Sequence, residues 1–376
     1  LSEVNRVLGK RNVFILDHHK PEVVDCSVIH FNPHLYGVDG LKEISGAGVC
    51  YFFAKTLDVG NQDLSYLALI GAIGDIQEYK GFSGLNEVIL SDAIEEGKIE
   101  VQKGLSVFGM QTKPLHKVLE YSTDLYIPGV TGSEQGAVKF LQELGIVLRE
   151  NGKFKKLIHL GEDDMKKLIT GIILKRLGSE ENAEDVLGPI YILSAEDEEL
   201  PTKDLREFST LLNACGRMNK PSLGIGTCLG NPRVKEKALD LLLEYKKEII
   251  GSLNWFYANR GKAVVEKEGY ILINAEDNVR ETMIGTLASM IAKANLYKDG
   301  TVIVSMAHTL DGSSKVSLRV CGRVDVDLRV VVKAAAEKVD GIAGGHKLAC
   351  GALVSQEKEK EFLELMDKAL QGLCVK

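Results

Sequence analysis

The chain has 376 residues, a formal net charge of -7, and 45% hydrophobic against 26% charged residues. That length exceeds one ordinary core and predicts two or three globular domains. The acidic balance excludes a global positive field that attracts nucleic acid, but not a local basic cleft or metal-assisted phosphate binding. No apolar run approaches the roughly 18 residues that span a bilayer, and no basic-then-apolar leader opens the sequence. A cytoplasmic protein without a membrane partner is expected. The 7 Cys are odd in number and lack C-x-x-C spacing, so reduced thiols are expected, Cys26 among them.

Residues Leu1 to Leu8 read as the end of a helix stopped by Gly9. With no Met at the start, the opening βαβ units of an α/β domain are expected to be missing. The next stretch, NVFILDHHKP from Asn12 to Pro21, carries the sharpest signal. Val13 to Leu16 is a short apolar run, predicted as a buried strand. Asp17, His18 and His19 follow it without a spacer. Carboxyl ends of strands in open α/β sheets are where ligands collect. A carboxylate with two imidazoles supplies metal ligands and a ring that contacts an anion or moves a proton. The alternative is a surface loop that happens to hold histidines, although only 8 His occur in the chain and two stand together here.

Asp25 to Leu41 is loop-like, with His30, Pro33, His34 and Gly37. Ser45 to Gly48 opens an apolar helix over Val49 to Ala54 with residues small enough for close approach of backbone to an anion or another element. Leu64 to Ile76 is a second apolar segment ending at Asp75, which caps the helix, is paired, or binds metal beside Asp17 and His18. Leu85 to Lys103 is predicted helical, as is Thr112 to Tyr121, with His116 on the surface or in packing. Thr131 or Ser133 caps a helix over Glu134 to Leu144 that stops at Gly145. An Asn151-Gly152 turn centres a hairpin, a helix covers Asp163 to Leu177, and Tyr191 to Leu193 is a strand.

Leu205 to Ala214 is a helix leading into CGRMNKP, Cys215 to Pro221. Arg217 in that Gly-flanked turn is either a phosphate fork or the partner of a carboxylate, with Asn213 and Asn219 as further polar contacts. Arg233 to Tyr257 is a long helix, a rigid connection between modules. Strands are expected at Lys262 to Val265, Tyr270 to Asn274, Thr301 to Met306 and Ser317 to Val320, the last placing Ser317 and Arg319 on one face. Helices are expected at Thr282 to Ala294, Val324 to Val339 and Glu357 to Leu370. GIAGGHKLACGA, Gly341 to Ala352, reads as a glycine-rich loop. Its Gly344-Gly345 backbone would form an anion nest beside His346, with Lys315 and Arg319 on a neighbouring strand.

These motifs resemble the DHH phosphoesterase family, and within it the archaeal RecJ-like single-strand exonucleases associated with the GINS replication complex. Asp17-His18-His19 resembles the family's third motif and Asp75 its fourth. Gly344 to His346 with Arg319 resembles the signature of the DHH-associated substrate-binding domain, and NACGRMNKP, Asn213 to Pro221, the linker segment. The resemblance spans nearly the whole chain, weakest from Ile146 to Leu200. It departs at the start: the first two carboxylate motifs, expected before the DHH strand, do not occur before Asp17.

The resemblance implies an α/β fold in four parts: a parallel-sheet DHH domain over 1–130, incomplete at its N-terminus, an inserted module over 131–200, a linker with the long helix over 201–257, and a smaller α/β DHH-associated domain over 258–376. It implies a metal-dependent 5′-to-3′ exonuclease on single-stranded DNA, or RNA, in a cleft between domains. The intact enzyme would hold two Mn2+ ions, with Mg2+ as substitute. Asp17, His18 and Asp75 would bind metal, with His19 on the scissile phosphate. Arg217, Asn219, Lys315, Arg319, Gly344, Gly345 and His346 would hold the strand. GINS, and through it the replicative helicase, would be partners. This stretch without the first two motifs is expected to hydrolyse little. The rivals are a non-catalytic replisome scaffold that binds GINS and a phosphodiesterase for oligoribonucleotides or small nucleotides.

Overall fold

The computed structural model describes residues 2–8, 13–21, 28–78, 80–122, 125–180, 182–294, 296–322 and 324–374. The expected stop at Gly9 and the thiol of Cys26 lie outside them. The chain divides into one unit of residues 1–213 with 228–231 and a second of 214–227 with 232–376.

The first unit opens with α1 (Ser2–Leu8) and β1 (Phe14–Leu16), which pairs in parallel with β2 (Ile29–Phe31). The loop expected over 25–41 thus contains a strand and a 3-10 turn, Pro33–Tyr36, capped by the Asn32 side chain. Strand β1 is less buried than its apolar run predicts: Phe14 is 52% exposed and stacks on Phe31. A two-stranded sheet gives each strand a single neighbour, so hydrophobicity alone does not bury it.

Next come α2 (Gly46–Leu57), α3 (Ser65–Gly74) and α4 (Leu85–Glu95). Ser45 caps α2 through the Gly48 amide. The small residues serve close packing, since a Cβ on Gly71 would stand 2.4 Å from that of Ala47. The helix predicted to run to Lys103 ends at Glu95. Residues Ile99–Leu105 form β3, antiparallel to β6 (Leu187–Leu193). Gly97 at φ 64° breaks the helix, and the register with β6 then overrides the helical propensity of Glu and Lys.

Between these strands lie α5 (Leu115–Glu120), α6 (Glu134–Glu143), the hairpin of β4 (Arg149–Glu150) and β5 (Lys153–Phe154), and α7 (Glu162–Arg176). They share a core that includes Leu115, Leu119, Phe140, Leu141, Leu168 and Ile172. His116 is buried there against Phe154, with ring centroids 4.7 Å apart.

Helix α8 (Leu205–Arg217) runs three residues past its expected end, and Pro221–Cys228 forms α9. Helix α10 (Pro232–Ala258) precedes a six-stranded sheet of order β11-β12-β10-β9-β8-β7. Its strands are β7 (Val264–Lys267), β8 (Tyr270–Asn274), β9 (Val302–His308), β10 (Ser313–Val320), β11 (Ile342–His346) and β12 (Ala349–Ser355). In this sheet β8 and β9 pair in parallel and the other described strand pairs are antiparallel. Helices α12 (Leu328–Glu337) and α13 (Glu359–Cys374) pack with Val316, Leu318, Met306 and Val304 in one core. Helix α11 (Glu281–Lys293) packs on β9 and β10.

Gly341 to Ala352 is not a loop. Gly344, Gly345 and His346 lie in β11, an edge strand joined to β12 by a turn at Lys347-Leu348. Gly345, at φ 123°, sits where a Cβ would stand 2.7 Å from the Cys350 Cα. The glycines therefore permit strand pairing, and a backbone nest does not form.

Candidate metal centre and strand-binding face

The chain leaves β1 at Asp17, whose amide continues the ladder by donating to the Phe31 carbonyl at 3.2 Å. One carboxylate oxygen, Oδ1, accepts from the amides of His18 and His19 at 2.8 and 3.2 Å and stands 2.7 Å from the His19 ring Nδ1. Among the described residues no hydrogen bond engages Oδ2. Burial would raise this carboxyl's pKa, but the ring and amide bonds outweigh it and hold the group below its ordinary value.

His18 is buried and fixed at both ring nitrogens. Nδ1 lies 2.7 Å from the Gly40 carbonyl oxygen, which only accepts, so Nδ1 carries a proton. Nε2 lies 3.3 Å from Oδ2 of Asp75. That nitrogen faces the carboxylate as a donor when the ring is protonated and with a lone pair when it is neutral. The ligand atoms of Asp17, His18 and His19 lie within 4.8 Å of one another. Asp75 joins them through His18.

Asp75 caps the helix and is paired: its amide closes the last turn of α3 while its carboxylate stands 3.3 Å from His18 Nε2. A negative group at a helix C-terminus opposes the helix dipole, so a cationic partner is what makes this placement favourable. The next residue, Ile76, has φ 61° and is 79% exposed. A β-branched residue is strained there. That bend lets Asp75 face His18 while Gln77 turns inward.

Several positioning residues are not expected from the sequence. Gln77 donates to the Gly40 and Ile44 carbonyls at 3.0 and 3.3 Å, and its own carbonyl accepts from Asn86 at 2.9 Å. Asn32 donates to the His19 carbonyl at 2.8 Å. Gly40 is indispensable, since a Cβ there would stand 2.0 Å from the His18 carbonyl oxygen. None of these residues forms a spacing motif. Their only sequence signal is a clustering of polar residues and glycines around apolar runs. An apolar hollow of about 380 Å³ beneath Phe31 and Phe53 has neither carboxylates nor imidazoles in its wall.

The second unit collects opposite charge. Arg319 on β10 donates to Ser289 Oγ at 2.8 Å and to the Leu318 carbonyl at 2.7 Å. Burial, and beyond it the positive charge of nearby Arg217, lower the Arg319 pKa. Arg217 stands at the end of α8 and donates to the Tyr245 hydroxyl at 2.7 Å. Among the described residues no carboxylate pairs with either guanidinium. The alternative of an Arg217–carboxylate pair is therefore not what forms. Asn219 is exposed at φ 57°, ending α8 as asparagine often does. Lys315 is exposed on the Arg319 side of β10, while His346 ends β11 opposite Ala349.

The family model of the DHH-CID domain matches residues 107–187, and that of the DHHA1 domain matches residues 267–372. The uncharacterised protein MJ0831 of Methanocaldococcus jannaschii is 34% identical over 368 residues, which cover 96% of this chain and 76% of that protein. CDC45 from Entamoeba histolytica superposes with a TM-score of 0.59 at 12% identity, covering 98% of this chain and 82% of that one. RecJ from Thermus thermophilus, solved in complex with Mn2+, gives 0.54 at 15% identity over 98% of this chain. The match takes in 43% of RecJ, so the chain spans less than half of RecJ's length. At these identities the two structures share the fold, which mixes α and β in a DHH and a DHHA1 domain. Among the described residues no helix is long and apolar enough to cross a membrane. The M. jannaschii relative and both domain matches lead to one conclusion: the chain belongs to the DHH family with DHH-CID and DHHA1 domains, and its fold is RecJ-like.

Proposed function

We propose that this chain forms the metal-binding and strand-binding parts of a single-strand-specific 5′-to-3′ exonuclease that hydrolyses DNA phosphodiesters. The observation that carries the reading is the His18 ring, with Nδ1 tied to Gly40 and Nε2 held 3.3 Å from the Asp75 carboxylate. The donor set of Asp17 Oδ2, His18 Nε2 and Asp75 is oxygen-rich with one imidazole. It fits Mn2+, with Mg2+ as the less selective substitute. Two bound ions in the intact enzyme would supply an activated water and neutralise charge on the phosphate.

The residues of the chain have separable tasks. Asp17 and Asp75 hold negative charge where cations are needed. Gly40 and Gln77 fix the His18 tautomer, as outer partners of metal-bound histidines do. His19, oriented by Asp17, contacts the scissile phosphate. Arg319 and Arg217 grip phosphate oxygens through guanidinium forks, with Lys315, Asn219 and His346 on the same strand. GINS, and through it the replicative helicase, is the partner proposed with this activity. The polarity and this partner follow from the family resemblance.

A replisome scaffold that docks GINS without hydrolysis is the second reading, supported by the fold shared with CDC45. Manganese-dependent digestion of end-labelled single strands by the full-length protein, beside its Asp17→Ala variant, separates the two. Release of 5′ mononucleotides that the substitution abolishes is expected. Equal release by both proteins would remove Asp17 from the metal site, and no release by either would favour the scaffold.

A further inference from the structure

The backbone that leaves α3 brings Asp75 to His18 against two local preferences. The carboxylate sits at a helix C-terminus, where its charge opposes the dipole, and Ile76 after it adopts a left-handed conformation. Gln77 holds the bend from inside through three hydrogen bonds. A second hold comes from the first turn of α8.

Arg206 Nε of α8 stands 2.6 Å from Oε1 of Glu78, three residues beyond Asp75, and the two side chains are only 23% and 15% exposed. A pair this sheltered is screened less than a surface pair, and removing either partner leaves a charge without its counter-ion. Ser209 lies three residues further along the same face of α8. Its hydroxyl is 3.2 Å from where a Cβ on Gly74 would stand. Helix α8 therefore meets the chain on both sides of Asp75, at Gly74 before it and at Glu78 after it.

The turn that bears Arg206 is itself fixed. Asp204 accepts from the amides of Arg206 and Glu207 at 2.8 and 3.1 Å. Glu207 accepts from the Gln111 amide at 2.9 Å and from the Thr112 hydroxyl. Both carboxylates are buried, so Arg206 projects from a clamped turn onto a strained one.

We propose that Arg206 is a positioning residue for Asp75, acting through Glu78. The pair holds the backbone in the bend that Ile76 resists and so keeps the Asp75 carboxylate beside His18 Nε2. The inference rests on the reading of Asp75 as a metal ligand and deepens it, because neither Arg206 nor Glu78 needs to touch the cation or the strand.

The test titrates Mn2+ calorimetrically into the full-length protein and its Arg206→Ala, Glu78→Ala and doubly substituted variants. Each single substitution should lower Mn2+ affinity about tenfold, the lower end for outer partners of a metal site. The double substitution should lower it no further than the worse single one, since both break the same link. A second readout needs no metal. The Ile76 and Gln77 amides donate to the Ile73 and Ala72 carbonyls at 3.0 Å each. In EDTA their hydrogen exchange should quicken in Arg206→Ala, while exchange in β9 and β10 stays as in the native protein. A role confined to folding would lower the melting temperature and leave Mn2+ affinity as it is. Unchanged affinity in the single variants, a double loss equal to the product of the single losses, or unchanged exchange at Ile76 and Gln77 would overturn the assignment. With Mn2+ still bound by the native protein, the exonuclease reading would then stand. Failure of the native protein to bind Mn2+ would overturn both.

Discussion

The two units solve opposite electrostatic problems. Around Asp17 and Asp75, negative charge gathers at a strand end and a helix end, with one imidazole locked between carbonyl and carboxylate. Around Arg319 and Arg217, two guanidinium groups stand near each other with hydroxyls and a carbonyl as hydrogen-bond partners and no acid. Each arrangement is unfavourable in isolation, because like charges repel and buried charge loses hydration. Each becomes favourable with a ligand of the opposite sign. The proposed exonuclease would supply a divalent cation to the first and a phosphate to the second.

That contrast can be broken from either side. Asp75→Asn keeps the shape but removes the charge facing His18. It should lower manganese affinity by about 100-fold in calorimetric titration, at the upper end for disturbed metal shells. Gly40→Ala acts one step out by pushing on the His18 carbonyl. An affinity loss of about 10- to 100-fold is expected, together with a clear drop in melting temperature. Unchanged affinity would mean that the His18 tautomer does not matter. Arg319→Lys keeps the charge but loses the fork, and single-strand affinity should fall about tenfold for one lost charge-assisted bond. Full rescue by lysine would reduce that site to simple charge.

Two smaller effects sharpen the comparison. Ile76→Gly relieves the left-handed backbone at an exposed position and should stabilise the protein by about 1 kcal/mol in chemical denaturation. A loss would show that Ile76 makes contacts worth more than its strain. Glu207 is the counter-example to Asp17. Its carboxylate accepts from the Gln111 amide and the Thr112 hydroxyl, yet burial wins and raises its pKa from 4.5. The unfolded chain releases this proton first, so stability present below pH 4.5 is lost as pH rises through the raised folded value. Glu207→Gln should flatten that decline, and an unchanged slope would assign it to other groups.

Much of the candidate metal centre is legible in the sequence because it consists of consecutive residues after an apolar run. Asp17, His18 and His19 are adjacent, and Asp75 closes a helix that its apolar run already marks. The shell that positions them is not legible. Gly40, Gln77 and Asn32 act through single hydrogen bonds to backbone carbonyls, which leave no period or spacing to read. The glycine motif misleads for a physical reason. Gly344 and Gly345 carry no side chain to show β alternation, so the edge strand reads as a loop until its register with β12 is known. The Lys- and Glu-containing strand β3 reads as helix because its β conformation depends on β6, more than eighty residues later.

Asp17, His18 and Asp75 are proposed to converge on a divalent cation. Anomalous diffraction at the manganese edge from crystals of the full-length protein grown with Mn2+ tests it most directly. The expected result is a peak bounded by Asp17 Oδ2, His18 Nε2 and the Asp75 carboxylate, lost in the Asp75→Asn variant. A native protein that cleaves single strands with manganese but shows its anomalous density elsewhere would contradict it.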